Sequence, residues 1–68
     1  MNGVIEYNLK SAKNYGWSSE WFYSEKFDET LIENIKTFQR DYKIKVDGMV
    51  GPSTLRRRET EMLAETFT

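Results

Sequence analysis

Chemistry in this chain has to be carried by carboxylates, aromatics and cations, because it contains no histidine and no cysteine. Those absences remove the commonest general base, the commonest zinc ligand and any thiolate nucleophile. The eleven acidic residues could supply the two carboxylates that glycosidic hydrolysis uses. No pair among them stands out, and a chain this small has little depth for a cleft that raises one carboxyl pKa and leaves the other low. No catalytic constellation is expected, and neither a metal site nor a cofactor.

The aromatic residues are more suggestive. W-S-S-E-W-F-Y places Trp17, Trp21 and Tyr23 beside Ser18, Ser19 and Glu20. Flat aromatic faces ringed by planar hydrogen-bonding groups suit a sugar ring. Against this, a small domain needs its large apolar groups inside, so a tryptophan and Phe22 are expected to cover the core. The connection is too short to bury them all, which leaves one or two of Trp17, Trp21 and Tyr23 exposed. Lys36, Arg40, Lys43 and Lys45 form a basic cluster with only Asp41 and Asp47 among them. These cations could pair with ligand carboxylates, or form a solvated, charge-balanced face. The run Arg56-Arg57-Arg58 could mark a nucleic-acid contact, but Glu59, Glu61 and Glu65 follow at once and can offset it. It reads as a solvated helix face. A formal net charge of −1 also argues against a general polyanion binder.

The elements that must position these groups follow from periodicity. With 68 residues there is room for one domain with a single small core. Val4 to Tyr15 reads as a helix with Ile5, Leu9 and Ala12 inward, Asn2 as its cap and Gly16 as its left-handed stop. Trp17 to Phe27 breaks the period and reads as an aromatic connection with one short helical turn. The second helix carries Leu31, Ile35, Phe38 and Tyr42 down one face, widened by Ile32. Thr30 and Glu33 have capping-box spacing, and Asp28 and Glu29 suit the positive end of the dipole. In K-I-K-V, Ile44 and Val46 alternate with Lys43 and Lys45 as a short extended stretch. Pro52 opens a third helix running through Leu55 towards Met62, with Thr54, Leu55 and Met62 inward and a polar far end. F-D-E-T-L and G-P-S-T-L hint at a weak repeat. The expected fold is all-α, a compact three-helix bundle with a short extended turn before the third helix. Residues 1–58 form the domain and 59–68 the end of the third helix, a tail or a linker. The first residues, Met1 to Leu9, contain Glu6 and no long apolar run, so neither a signal peptide nor a membrane span is expected there.

V-D-G-M-V-G-P-S-T-L, Val46 to Leu55, concentrates turn chemistry. Asp47 can accept backbone N–H groups two or three residues on, and Gly48 supplies a positive φ. Val46, Met49 and Val50 can enter the core, Gly51 permits close approach, and Ser53 or Thr54 can satisfy early donors of the helix. The stretch lacks the regular acidic spacing of a calcium loop and the lysine of a phosphate loop. Gln39 could tie its amide to a buried backbone group or face a ligand.

F-Q-R-D-Y-K-I-K-V-D-G-M-V-G-P-S-T-L, Phe38 to Leu55, resembles the peptidoglycan-binding-like domain family. That family has a helix ending in F-Q, a few residues, then an apolar residue, D-G, an apolar pair and G-P-x-T opening the next helix. F-D-E-T-L-I-E-N-I-K-T-F-Q extends the likeness upstream, and Val4 to Gly16 matches loosely. On this resemblance Phe38, Val46, Asp47, Gly48, Val50, Gly51, Pro52 and Thr54 are the structural motif. The implied function is non-catalytic binding of bacterial cell-wall peptidoglycan, targeting a fused or associated wall hydrolase such as a phage endolysin. Such a chain would be made in the cytoplasm without its own signal peptide and act at the wall. Trp17, Trp21, Tyr23, Gln39, Arg40 and Lys43 are the candidate ligand-binding residues. The aromatic connection is longer than the family's, so a surface there is not implied by the resemblance. The alternative is a small three-helix protein that binds another protein or nucleic acid through its basic surface.

Overall fold

The hydrophobic groups converge on a layer of aromatic and branched side chains between three helices and one 3-10 turn. The computed structural model describes residues 3–67, and the side chains of residues 3–65. Helix α1 spans Gly3–Tyr15, a 3-10 turn Ser19–Phe22, helix α2 Glu29–Asp41 and helix α3 Pro52–Phe67. No strand occurs among the described residues, so the expected extended stretch is a plain connection. The expected all-α bundle is the observed one.

Helix α1 ends as its sequence demands. Gly16 sits at φ +76 and donates its N–H to the Ala12 carbonyl at 2.8 Å. The expected Asn2 cap lies outside the described residues. The inward face of α1 differs from the expected one: Leu9 is 47% exposed, whereas Asn8 and Ser11 are buried. The reason lies in what α1 packs against. Its partner is the loop before α3, whose backbone groups need polar partners when buried. Asn8 Nδ2 donates to the Gly48 carbonyl at 2.9 Å, and the Val50 N–H donates to Asn8 Oδ1 at 2.9 Å. Ser11 Oγ donates to the Val50 carbonyl at 2.6 Å and accepts from Trp17 Nε1 at 3.0 Å. Leu9 follows Asn8 and is turned away by the roughly 100° that one helical residue subtends.

Helix α2 is capped by Asp28, not by a Thr30–Glu33 box. Asp28 has extended dihedrals and its Oδ1 accepts the Leu31 N–H at 3.1 Å, while Thr30 is exposed within the first turn. Leu31, Ile32 and Ile35 are buried, Phe38 is half-buried, and Tyr42 lies just past the end. The C-terminus closes with a Schellman pattern: Ile44 N–H donates to the Gln39 carbonyl at 2.8 Å and Lys43 N–H to that of Arg40 at 3.2 Å. Lys43 occupies the left-handed position normally given to glycine, with φ 56.

The core comprises Trp17, Phe22, Leu31, Ile35, Val50 and Leu55, with Ala12, Trp21, Phe27 and Phe38 packed against it. Phe22 stands edge-to-face to both Trp17 and Phe38, at 5.6 Å in each case. Val46 is not a core residue: it is 43% exposed and Val50, at 0%, fills that role. The Asp47–Gly48 turn is held so firmly from α2 that the valine before it points out and the valine after it points in. The short repeat holds for the leucines, since Leu31 and Leu55 are both buried, but not for the threonines, since Thr54 is buried and Thr30 exposed. Helix α3 continues through Phe67, so Leu63 to Phe67 are helical and not an irregular tail.

Candidate ligand-binding groove

The D-G-M-V-G-P loop is tied down before any ligand could use it. Gln39 is 1% exposed, and its Oε1 accepts the Asp47 N–H at 3.1 Å and the Gly48 N–H at 2.9 Å. Its Nε2 faces Asp47 Oδ1 at 3.0 Å, the Met49 carbonyl at 3.0 Å and Thr54 Oγ1 at 3.1 Å. Asp47 Oδ1 also accepts the Met49 N–H at 2.9 Å, two residues on. Gly48 sits at φ +76, and a Cβ there would come within 2.9 Å of Ile32 Cγ2. Gln39 is therefore the loop's anchor and is withdrawn from the candidate ligand set.

Trp17 leaves the set too, at 4% exposure with its indole N–H on Ser11. Trp21 is half-buried and borders a separate groove with Glu59, Met62 and Leu63. Arg40 and Lys43 are exposed, and neither lines the groove described next. Tyr23 does. It is 75% exposed and left-handed at φ 60, ψ 36, a conformation with a real cost for a bulky residue. Two neighbours hold it: Asn34 Nδ2 donates to the Phe22 carbonyl at 2.9 Å and the Tyr23 carbonyl at 3.4 Å, and Arg58 reaches it from α3.

Arg58 is the residue that sequence reasoning misplaced. It is 6% exposed, donating Nε to the Trp21 carbonyl at 2.8 Å and Nη2 to Tyr23 Oη at 3.4 Å. Its guanidinium lies 5.3 Å from the Tyr23 ring centre and 5.9 Å from that of Phe38, and Nη1 is 3.9 Å from Glu65. The arginine run is thus divided by helical geometry. Arg58 follows Leu55 by three positions and shares its inward face, while Arg57 pairs with Glu61 at 3.2 Å and Arg56 faces solvent. The signal was the i, i+3 relation to Leu55.

Between α2 and α3 opens a groove of about 250 Å³ lined by Tyr23, Asn34, Thr37, Phe38, Asp41, Tyr42, Arg58 and Glu65. Asn34, Phe38 and Asp41 recur at i, i+4 and i+7 along α2, beside its buried stripe. Tyr42 packs on Phe38 with ring centres 4.6 Å apart, and the Arg57 guanidinium lies 4.8 Å from its ring. Desolvation, then the charge and hydrogen bond of Glu61, push the Tyr42 phenol above its ordinary value of 10.0, against the opposing pull of Arg57 and Arg58. Among the described residues there is no group of three or more carboxylates placed to hold a metal ion, and no helix is long and apolar enough to cross a membrane.

A family model described as "Putative peptidoglycan binding domain" matches residues 5–57. The chain belongs to the peptidoglycan-binding domain family. This is a family of small binding domains, not catalysts. No curated protein and no solved structure gave a significant match. The matched span takes in nearly all of α1, the aromatic connection, α2, the anchored loop and the first turn of α3. The stretch F-Q…D-G-M-V-G-P-S-T, Phe38 to Thr54, lies within the matched span and has a physical meaning in this chain. Its glutamine brackets its own D-G turn and its threonine, so the motif specifies how α2 is joined to α3.

Proposed function

We propose that this domain binds bacterial cell-wall peptidoglycan through the α2–α3 groove, without catalysis, and so targets an associated wall hydrolase of the phage-endolysin kind. The observation that carries the reading is the combination of the exposed Tyr23 ring with Asn34 and Asp41 across one small groove. An aromatic face receives the C–H face of a sugar, and planar amide and carboxylate groups receive its hydroxyls. Arg58 pairs with Glu65, so the Asp41 carboxylate leaves the lining net negative and disfavours an acidic ligand here, which suits the uncharged part of the glycan strand. Family membership over residues 5–57 supports the polymer as ligand, and the lining of the groove supports it as the binding surface. Tyr23 is retained from the residues expected on sequence; Asn34, Asp41 and Tyr42 join it.

The test is sedimentation with purified, protein-free sacculi at low and raised salt. Wild-type binding is expected to resist salt, because it rests on stacking and hydrogen bonds to neutral groups. Tyr23→Ala and Asp41→Ala, verified as folded by thermal melting, are expected to weaken it by about tenfold or more, the equivalent of about 1.4 kcal/mol. Arg40→Ala and Lys43→Ala should bind as wild type does. Loss in those two and not in the first pair would move the site to the basic edge and overturn the groove assignment. Absence of binding in the wild type would end the wall-binding reading.

A further inference from the structure

We infer that a second groove, sharing Tyr42 with the first, is a site for the terminal carboxylate of a short peptide with small apolar side chains. This groove, of about 340 Å³, is lined by Tyr42, Ile44, Ser53, Arg56, Arg57 and Thr60. Its polar groups differ in how far they are already engaged. Arg57 is committed to Glu61 at 3.2 Å and to the Tyr42 ring, and Thr60 Oγ1 donates to the Arg56 carbonyl at 2.9 Å. The Arg56 guanidinium and the Ser53 hydroxyl, in contrast, have no hydrogen-bond or ion-pair partner among the described residues. A planar cation and a hydroxyl, both unengaged and bordering one concavity, form a complement to a carboxylate.

The surroundings reinforce the sign of the charge. Lys45 follows Ile44 in the chain and is exposed. Ser53 lies in the first turn of α3, where backbone dipoles add positive potential. Glu61, bound to Arg57, is the one acidic group here with a described contact to a lining residue. The first groove carries Asp41 beside the paired Arg58 and Glu65, a net negative lining, so an anionic group is disfavoured on one side of Tyr42 and attracted on the other.

A guanidinium also accepts phosphate, and the apolar wall decides between them. Ile44 and the Tyr42 ring present hydrocarbon beside Arg56. A peptide end of the alanine type matches that wall with its methyl group, whereas the polyol of a phosphate polymer has nothing to place there. On the wall-binding reading, which this ligand assignment rests on, the stem peptide of peptidoglycan supplies such an end next to the glycan. The carboxylate site itself stands independently of that reading.

The experiment is a nitrogen-15 NMR titration of the whole chain with N-acetyl-D-alanyl-D-alanine, its C-terminal amide and inorganic phosphate, with sacculus sedimentation in parallel. The free acid is expected to shift the Ile44, Ser53 and Thr60 amides and the Arg56 Nε resonance saturably. Arg56→Gln, an exposed change compatible with folding, should weaken this by about tenfold, as should the amide. A response to the amide equal to that of the acid, tighter binding of phosphate than of peptide, or shifts centred on Tyr23 and Asp41 would each overturn the proposal. Dipeptide binding at Arg56 without sacculus binding would uphold the carboxylate site and remove the wall reading. Sacculus binding with no dipeptide response would do the reverse.

Discussion

At the scale of single residues, Gln39 shows how one side chain can hold a loop that has no regular structure of its own. It satisfies two backbone donors of the D-G turn through Oε1 and, through Nε2, is shared among Asp47, Met49 and Thr54. Removing it orphans buried groups at roughly 1–3 kcal/mol each. Gln39→Glu is the sharper probe, because it sets a carboxylate oxygen where a donor now stands, 3.0 Å from Asp47 Oδ1. We expect that variant to lose roughly 3 kcal/mol or more at neutral pH. Two facing carboxyls raise the folded-state pKa, so a proton restores stability below the unfolded value and the deficit reappears as pH rises through the folded one. Urea titrations at pH 7 and near pH 4 check this. A variant as stable as wild type at both would show that the bracket contributes little.

At the scale of elements, helix ends are where sequence signals compete. Two N-cap candidates lie two residues apart, and both Asp28 and Thr30 belong to favoured types. Asp28 prevails because its extended dihedrals put Oδ1 on the Leu31 N–H, and because starting there brings Leu31 and Ile35 onto the core. Asp28→Ala is therefore expected to cost about 1 kcal/mol, while Thr30→Ala changes stability only marginally. Thermal unfolding of the pair decides it, and the opposite order would restore the threonine cap. Helix α3 makes a related point. A charge run that looks uniform along the chain is divided among three directions by the helix, so that one of its arginines is buried under Tyr23 while its neighbours face outward.

At the scale of the whole molecule, Tyr42 joins the end of α2 to α3 and stands at the junction of the two grooves. Desolvation, and then Glu61, raise the pKa of its phenol above the ordinary value. The sign follows from linkage: a raised folded-state pKa gives stability that is present below the unfolded value and lost as pH rises through the folded one. Alkaline unfolding of the wild type should accordingly include a component that begins near the ordinary phenol value of about 10. Tyr42→Phe should lack that component, and matching stability–pH curves for the two proteins above pH 9–10 would exclude the link. On the reading proposed above, wall binding is a property of the assembled bundle, since each groove is lined from both α2 or its end and α3.

The sequence by itself determined the helices, the proline that opens α3, the glycine that ends α1, the aspartate turn and the family to which these belong. All of these are local: they depend on propensity, capping and period within a few residues. The same local reasoning read α1 by its apolar residues and took Leu9 as inward, because nothing nearby in the chain says that α1 will meet backbone carbonyls as well as hydrocarbon. It took Val46 as core and Arg58 as solvated for the same reason. Tertiary structure alone decided which face of α1 turns inward, which of Trp17, Trp21 and Tyr23 stays exposed, and which polar groups on α2 and α3 end up across a groove. Those outcomes depend on partners up to about forty residues away, as with Asn8 and Gly48, and a buried hydrogen bond between such partners outweighs the preference of any single side chain for its own helix face.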